Sequence, residues 1–303
     1  MKYVYLRSSV SLLLIFCGVA GLAAESVPQV DSKQTFQFLV EQVSFGPRIP
    51  ESTSTEKTRQ LIFQTLAESG FSTHTQHFRA YVPVLGREVH GQNIYAIKPK
   101  GQNPLVVYSA HYDTRPIAEK DPCREKRTQP IPGANDGASG VAVLLGIAKA
   151  LSNVDPPKPL ALVFFDLEDG GLPQDPSGFC LGSRYLAANL PPELVDFECG
   201  INLDMVGKRK LRVLYEKFSF DRCPDLVEQV WSLGEKVDPD VFVKQRGIPI
   251  YDDHIPFQEI GKKYINLIDF DYPQWHTSDD SVEQCSSESL KTVGDTLLRY
   301  LFQ

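Results

Sequence analysis

Leu160-Ala161-Leu162-Val163-Phe164-Phe165 runs directly into Asp166-Leu167-Glu168-Asp169-Gly170-Gly171. Six apolar residues without alternation predict a strand buried on both faces, because a strand with one wet face alternates with polar residues. Acids then arrive at its carboxyl end. The arrangement recurs along the chain. Leu105-Val106-Val107-Tyr108 is followed by His111-Tyr112-Asp113, Ile201 and Leu203 precede Asp204, and an apolar run over 264–268 precedes His276. Between these runs, apolar residues fall at helical spacing: Val141, Leu144, Leu145, Ala148 and Leu151; Leu226, Val230, Leu233 and Val237; Leu290, Val293, Leu297 and Leu301. Buried strands alternating with amphipathic helices predict a single α/β domain with a central mixed, mostly parallel sheet flanked by helices. Functional sites in such sheets lie beyond the carboxyl ends of the strands. The acids and histidines fall there in succession, and chance does not easily place them all so.

The amino-terminal part extends this pattern. Asp31-x-x-Gln34 and Thr53-x-x-Glu56 read as capping boxes that open helices. The second helix carries Ile62, Phe63 and Leu66 and stops near Gly70. Residues 71–82 and 92–97 read as strands paired at one edge of the sheet. Two loops, the Pro/Lys/Arg-rich 121–132 and the Gly- and Pro-containing 170–178, have the length of functional rims rather than of domain linkers.

Lys2 and Arg7, the apolar stretch 10–19 and Gly21-Leu22-Ala23-Ala24 form the three parts of an export signal, so residues 1–24 are expected to be removed and 25–303 to form the domain. Cys17 after Leu14-Ile15-Phe16 has the outline of a lipidated cysteine, but bulky Phe16 argues against it. The apolar stretch is too short for a confident span, so no stable membrane association is expected and the location is periplasmic or secreted. Net charge is −7 with no basic stripe, which excludes nucleic acid as a natural partner. Cys123, Cys180, Cys199, Cys223 and Cys285 lie beyond the signal; their odd number leaves at least one thiol without a partner in the chain. No CxxC pair is present, so a metal is expected to use nitrogen and oxygen ligands.

Each cluster has a plain alternative. His111-x-Asp113 is either a metal ligand oriented by a carboxylate or a capped strand end. Asp136, in Gly133-Ala134-Asn135-Asp136-Gly137-Ala138-Ser139-Gly140, is either an N-cap or a carboxylate cleared by small neighbours to reach a metal. Glu168 and Asp169 are adjacent and point different ways, so one can ligate while the other moves protons; the alternative is an exposed acidic turn. Asp204, and Asp252-Asp253 in Tyr251-Asp252-Asp253-His254, add further acids, the latter pair doubling as a cap for the helix carrying Pro256 and Phe257. Trp275, beside His276, is either core packing or a pocket wall.

His111-x-Asp113, Asn135-Asp136-Gly137, Glu168-Asp169, Asp204 and His276-Thr277 together resemble the exported zinc-dependent aminopeptidases, over residues 35–301. Asp252-Asp253-His254-Ile255-Pro256-Phe257, Trp275-His276-Thr277 followed by Asp279-Asp280, and Leu181-Gly182-Ser183-Arg184-Tyr185-Leu186-Ala187-Ala188 are more similar to the glutaminyl cyclases that share the fold. His111-Tyr112-Asp113-Thr114-Arg115-Pro116 with Glu168-Asp169-Gly170 is similar to their bacterial branch.

The resemblance implies one zinc held by Asp136, Asp169 and His276. It implies Glu168 as the proton shuttle, helped by Asp204 and Asp252, and a glutaminyl pocket lined by Trp275, Tyr251 and Tyr272. His111 and Asp204 are then candidates for a second metal or for supporting the first. The implied substrate is the N-terminal glutamine of peptides or proteins, converted to pyroglutamate with loss of ammonia. Two departures stand out: Asp169 where the animal enzymes and aminopeptidases usually carry Glu, and a shorter loop after Gly171 that lacks a second pocket tryptophan. The competing enzyme is an aminopeptidase with two zincs, adding His111 and Asp204 as ligands, bridging through Asp136, and using Glu168 to activate water. A non-catalytic binding protein on the same fold is the third reading.

Overall fold

The computed structural model describes residue 1, residues 27–98 and residues 105–303. Apart from Met1, the expected export signal lies outside the described residues. Two helices come first, α1 (Ser32–Ser44) and α2 (Thr53–Glu68), followed by the hairpin β1 (Ser72–Val82) and β2 (Arg87–Lys98). Then come β3 (Leu105–His111), α3 (Ala138–Ala150), β4 (Leu160–Phe165), α4 (Leu181–Ala188) and β5 (Phe197–Asp204). A short excursion, β6 (Val213–Tyr215), α5 (Lys217–Arg222), α6 (Pro224–Val237) and β7 (Phe242–Arg246), precedes α7 (Ile255–Glu259), β8 (Tyr264–Ile268) and α8 (Ser287–Leu301).

Six strands form the main sheet in the order β1-β2-β4-β3-β5-β8. The β1–β2 and β2–β4 pairs are antiparallel, and the β4–β3, β3–β5 and β5–β8 pairs parallel, so the sheet is mixed and mostly parallel. The apolar runs explain the layering. Leu160, Leu162 and Phe164 of β4 join Val106, Tyr108 and Ala110 of β3 in the core beneath α3 and α8. Ala161, Val163 and Phe165 point the other way, with Val107, toward Leu186 of α4 and Phe257 of α7. Period-two alternation thus sends apolar residues to two cores rather than to a core and solvent. Residues 138–148 of α3 are all buried, which explains why that helix is apolar all round. Gly140 is required there: a Cβ would lie 2.4 Å from the Leu203 carbonyl oxygen, so only glycine lets α3 start against the end of β5.

One row of polar side chains crosses the parallel strands. The Tyr264 hydroxyl donates to Ser109 Oγ (2.9 Å), and Ser109 donates to Asn202 Oδ1 (2.8 Å). Asn202 Nδ2 then donates to Asn266 Oδ1 (3.1 Å), and Asn266 Nδ2 to Asp252 Oδ2 (2.5 Å). Ser109, Asn202 and Asn266 are register partners. A slip by one residue would strand all of them unpaired in an apolar layer, which fixes the register.

Several boundaries differ from the sequence expectation. β2 begins at Arg87, because residues 87–91 pair with β1 despite their polar character. β3 continues to His111, which sits opposite Phe165. The cap of α2 is Ser52 rather than Thr53: Ser52 is extended, and its hydroxyl accepts from the Thr55 amide. α3 opens at Ala138, three residues before Val141. All five cysteines beyond residue 27 are free thiols. Among the described residues, no helix is long and apolar enough to cross a membrane.

Candidate metal centre

Every cluster expected from the sequence converges at the carboxyl edge of the parallel strands, around Asp136. On one side His111 Nε2 lies 3.3 Å from Asp136 Oδ1 and 3.2 Å from Asp204 Oδ1. On the other, His276 Nε2 lies 3.4 Å from Asp169 Oδ1 and 3.8 Å from Asp136 Oδ2. Asp136 therefore belongs to two groups, His111–Asp136–Asp204 and Asp136–Asp169–His276, in each of which the ligand atoms lie within 4.8 Å of one another. The residues fit a metal. Asp169 Oδ2 is buried without a hydrogen-bond partner, a costly state for a carboxylate oxygen that a cation relieves. Imidazole nitrogen and carboxylate oxygen are a donor set suited to zinc.

The loops that carry these groups are held from behind. Asp280 accepts from the amides of Asn135 (2.8 Å) and Asp136 (3.1 Å), while the buried Arg48 donates to the carbonyls of Pro132 and Gly133. Gly137 has φ of 104°, and a Cβ there would meet the Asp113 carbonyl oxygen at 2.4 Å. Asp113 accepts from the amides of Glu168 (3.0 Å) and Asp169 (3.2 Å). It anchors the acidic turn, whereas its 3.5 Å approach to His111 Nδ1 makes no hydrogen bond. Four non-glycine residues at the site adopt left-handed backbone: Leu167 (φ 58°), Cys180 (56°), Met205 (46°) and His276 (57°). Each turns the chain sharply beside a functional side chain, a cost tolerated where surrounding packing fixes the bend.

Burial and crowding separate the acids. Burial opposes charge on Asp169, but His276 and Arg115 outweigh it and hold the carboxyl well below its usual range. Burial pushes Glu168 well above its ordinary value, with Asp169 adding to the shift. Asp252 is likewise raised, by burial first and then by Asp204 and Asp253. Burial disfavours the charged form of His276, yet Asp169, Glu119 and Asp136 together lift it to about 9. Adjacent acids are thus driven apart: the surroundings favour the charged form of Asp169 and the protonated form of Glu168. Glu168, Asp252 and the Cys180 thiol, which donates to Glu168 Oε1 at 3.4 Å, form a third close group.

These groups form the floor of a cavity of about 870 Å³, walled by Phe179, Ile248, Ile250, Tyr251, Phe270 and Trp275. Trp275 is partly buried; its ring lies 3.9 Å from that of His276 and 4.8 Å from that of Phe270. Tyr251 stands at the rim, 45% exposed. Residues 93–301 match the model of peptidase family M28. The chain belongs to that family.

Within and around M28, the relatives carry two kinds of name. Aminopeptidase YwaD of Bacillus subtilis is 33% identical over 224 residues, covering 70% of this chain and 44% of the relative, so the chain spans less than half of that protein. A Zn-dependent exopeptidase of Parabacteroides distasonis superposes with a TM-score of 0.88 at 29% identity, over 92% of this chain and 100% of that one. A Bacteroides thetaiotaomicron glutaminyl cyclase, solved with N-acetylhistamine, superposes at 0.87 and 32% identity, over 92% and 99%.

In this M28 chain, the sequence-derived residues are placed unequally. Asp136, Asp169, Glu168, Asp204, Asp252, Trp275, Tyr251 and His276 all line the cavity. His111 lies just behind it. Tyr272 does not face the cavity: its ring is buried and its hydroxyl donates to Asp280 at 2.7 Å, so it braces the Asp136 loop from the rear. The cap readings fail for Asp136 and Asp252-Asp253, because the residues before α3 and α7 are Gly137 and His254 and neither helix has a side-chain cap. Loop 170–178 forms part of the rim through Asp175, Pro176 and Ser177. Loop 121–132 instead braces the His276 segment, Asp121 accepting from the Ser278 amide (2.9 Å). Sequence reasoning gave no role to Glu119, which accepts from His276 Nδ1 at 2.7 Å, or to Arg115, which bonds both Glu119 and Asp169. Arg115 stands in the His111–Pro116 stretch quoted from the sequence, and its four-residue spacing to Glu119 is the further signal the pair left.

Proposed function

We propose that this protein is a zinc-dependent glutaminyl-peptide cyclotransferase that acts outside the cytoplasm on the N-terminal glutamine of peptides or proteins. The observation that carries the reading is the place of Trp275. Its ring lies 3.9 Å from that of His276, tilted by 32°, and borders the cavity, giving an apolar wall beside the ligand group that suits a folded glutaminyl side chain. Zinc at Asp136, Asp169 and His276 would supply Lewis-acid polarisation of the side-chain carbonyl.

The chain's own residues do the rest. Trp275, Ile250 and Phe179 exclude water and favour one curled conformer, so that the α-nitrogen attacks Cδ intramolecularly. The N–Cδ bond forms as Glu168 takes a proton from that nitrogen. Glu168 then returns the proton to the side-chain nitrogen, the Cδ–N bond breaks, and ammonia leaves. Asp252, fixed by Asn266, sits beside Glu168 and favours its protonated form between the two transfers.

The division of Asp136 between two ligand groups favours one alternative, a two-zinc aminopeptidase. The discriminating experiment assays one purified sample on a glutaminyl and a leucyl substrate while measuring bound zinc. Ammonia release from the glutaminyl substrate, with about one zinc per chain, is expected. Efficient leucyl cleavage with two zincs and no ammonia would assign the protein to the aminopeptidases.

A further inference from the structure

We infer that Arg115 is the positioning residue of the metal centre: it fixes Asp169 directly and His276 through Glu119, and so makes the Asp136–Asp169–His276 group the metal-holding one. The inference rests on the zinc reading above. Arg115 is fully buried on the loop after β3. Its Nε donates to Glu119 Oε2 at 2.8 Å, and its Nη1 donates to Asp169 Oδ1 at 3.0 Å and to the Asp169 carbonyl at 3.1 Å. The other Glu119 oxygen accepts from His276 Nδ1 at 2.7 Å. Asp169 Oδ1 lies 3.4 Å from His276 Nε2, so the contacts close a ring.

This ring decides which atoms are left for a metal. Asp169 Oδ1 is occupied by the guanidinium, leaving Oδ2, the buried oxygen without a partner. His276 Nδ1 is occupied by Glu119, which directs the lone pair of Nε2 toward the site. The opposite group is held more loosely. His111 Nδ1 has no hydrogen-bond partner, and Asp113, 3.5 Å away, is committed to the amides of Glu168 and Asp169. The Asp169–His276 side is thus the more firmly pre-organised of the two. The short arm of Asp169 belongs to the same arrangement, since it holds Oδ1 against the guanidinium and leaves Oδ2 without a hydrogen-bond partner. Lysine would keep the charge but cannot reach two carboxylates in a fixed plane.

The test measures zinc affinity of the full chain by competition with a chromogenic chelator, together with unfolding of the metal-free protein. Wild type, Arg115→Lys, Glu119→Gln and the double variant are compared. Each single variant is expected to bind zinc about 10–100-fold more weakly, and the double variant no more weakly than the worse single, because both cut one network. Glu119→Gln keeps an oxygen for His276 but presents an amide to Arg115; Glu119 is partly exposed, so this variant carries the test if Arg115→Lys fails to fold. Single variants that bind zinc like wild type, with only a lowered melting temperature, would reduce Arg115 and Glu119 to structural residues and overturn the inference. A wild-type chain that binds no zinc would instead remove the metal reading itself, and the inference with it.

Discussion

The chain has two tryptophans, and replacing each by alanine should give opposite phenotypes. Trp231 is fully buried, packed edge-on against Tyr215 and Phe242, with its Nε1 donating to the Val213 carbonyl at 3.0 Å. Its removal should cost about 3–5 kcal/mol, or on the order of 10 °C in melting temperature, with little change in kcat/KM per folded molecule. Trp275 belongs to a small satellite cluster and is partly open to the cavity. Its truncation should cost about 1–2 kcal/mol of stability. If about a quarter of a ring of ~200 Å² is free to cover substrate, ~50 Å² at ~25 cal/mol/Å² gives ~1.3 kcal/mol, or about tenfold in kcat/KM. Thermal unfolding and glutaminyl turnover are measured on both variants. Emission offers a second check: a glutaminyl ligand should shift wild-type fluorescence but not that of Trp275→Phe, where Trp231 alone reports. Should Trp275→Ala lose as much melting temperature as Trp231→Ala while keeping full kcat/KM, Trp275 is packing and the pocket-wall reasoning is wrong.

His276→Ala should lose zinc, whereas Glu168→Gln should retain it and lose turnover by about 10²–10⁴-fold; zinc loss in Glu168→Gln would mean that the roles of Glu168 and Asp169 are exchanged. Adding zinc to metal-free protein at about 100 times its dissociation constant should stabilise the fold by ~2.7 kcal/mol. That shift should vanish in His276→Ala, and a shift surviving there, measured by thermal unfolding, would place the metal elsewhere.

The sheet was legible because its buried strands are continuous apolar runs, a pattern set by burial on both faces rather than by local propensity. The sequence places the start of β2 at residue 92 rather than Arg87, because the mostly polar residues 87–91 carry no such signal yet pair with β1 through their backbone. The candidate ligands were legible because strand ends aim consecutive segments at one edge. Direction within those segments was not: Tyr272 and Trp275 are three residues apart, but one braces the Asp136 loop and the other walls the cavity. Asp113 shows the same limit. Its spacing from His111 suggested an orienting carboxylate, while backbone amides 55 and 56 residues further along the chain, at Glu168 and Asp169, claim its oxygens in the fold. Arg115 and Glu119 act through contacts between loops, which no periodicity records.

The left-handed turns at Leu167, Cys180, Met205 and His276 bear on any attempt to make a more heat-resistant variant. Such bends usually invite glycine, which removes a penalty of about 1–3 kcal/mol. Here all four side chains are 2% exposed or less. Glycine at Leu167 or Met205 would empty a packed position, a loss of roughly 2–5 kcal/mol judged from alanine truncations of similar residues. Relaxation of the main chain and void formation oppose each other, and the void wins. These corners are therefore poor targets for thermostabilising design, and they leave the carboxyl edge of the sheet fixed in a conformation that neither the best backbone residue nor the best packing residue can improve alone.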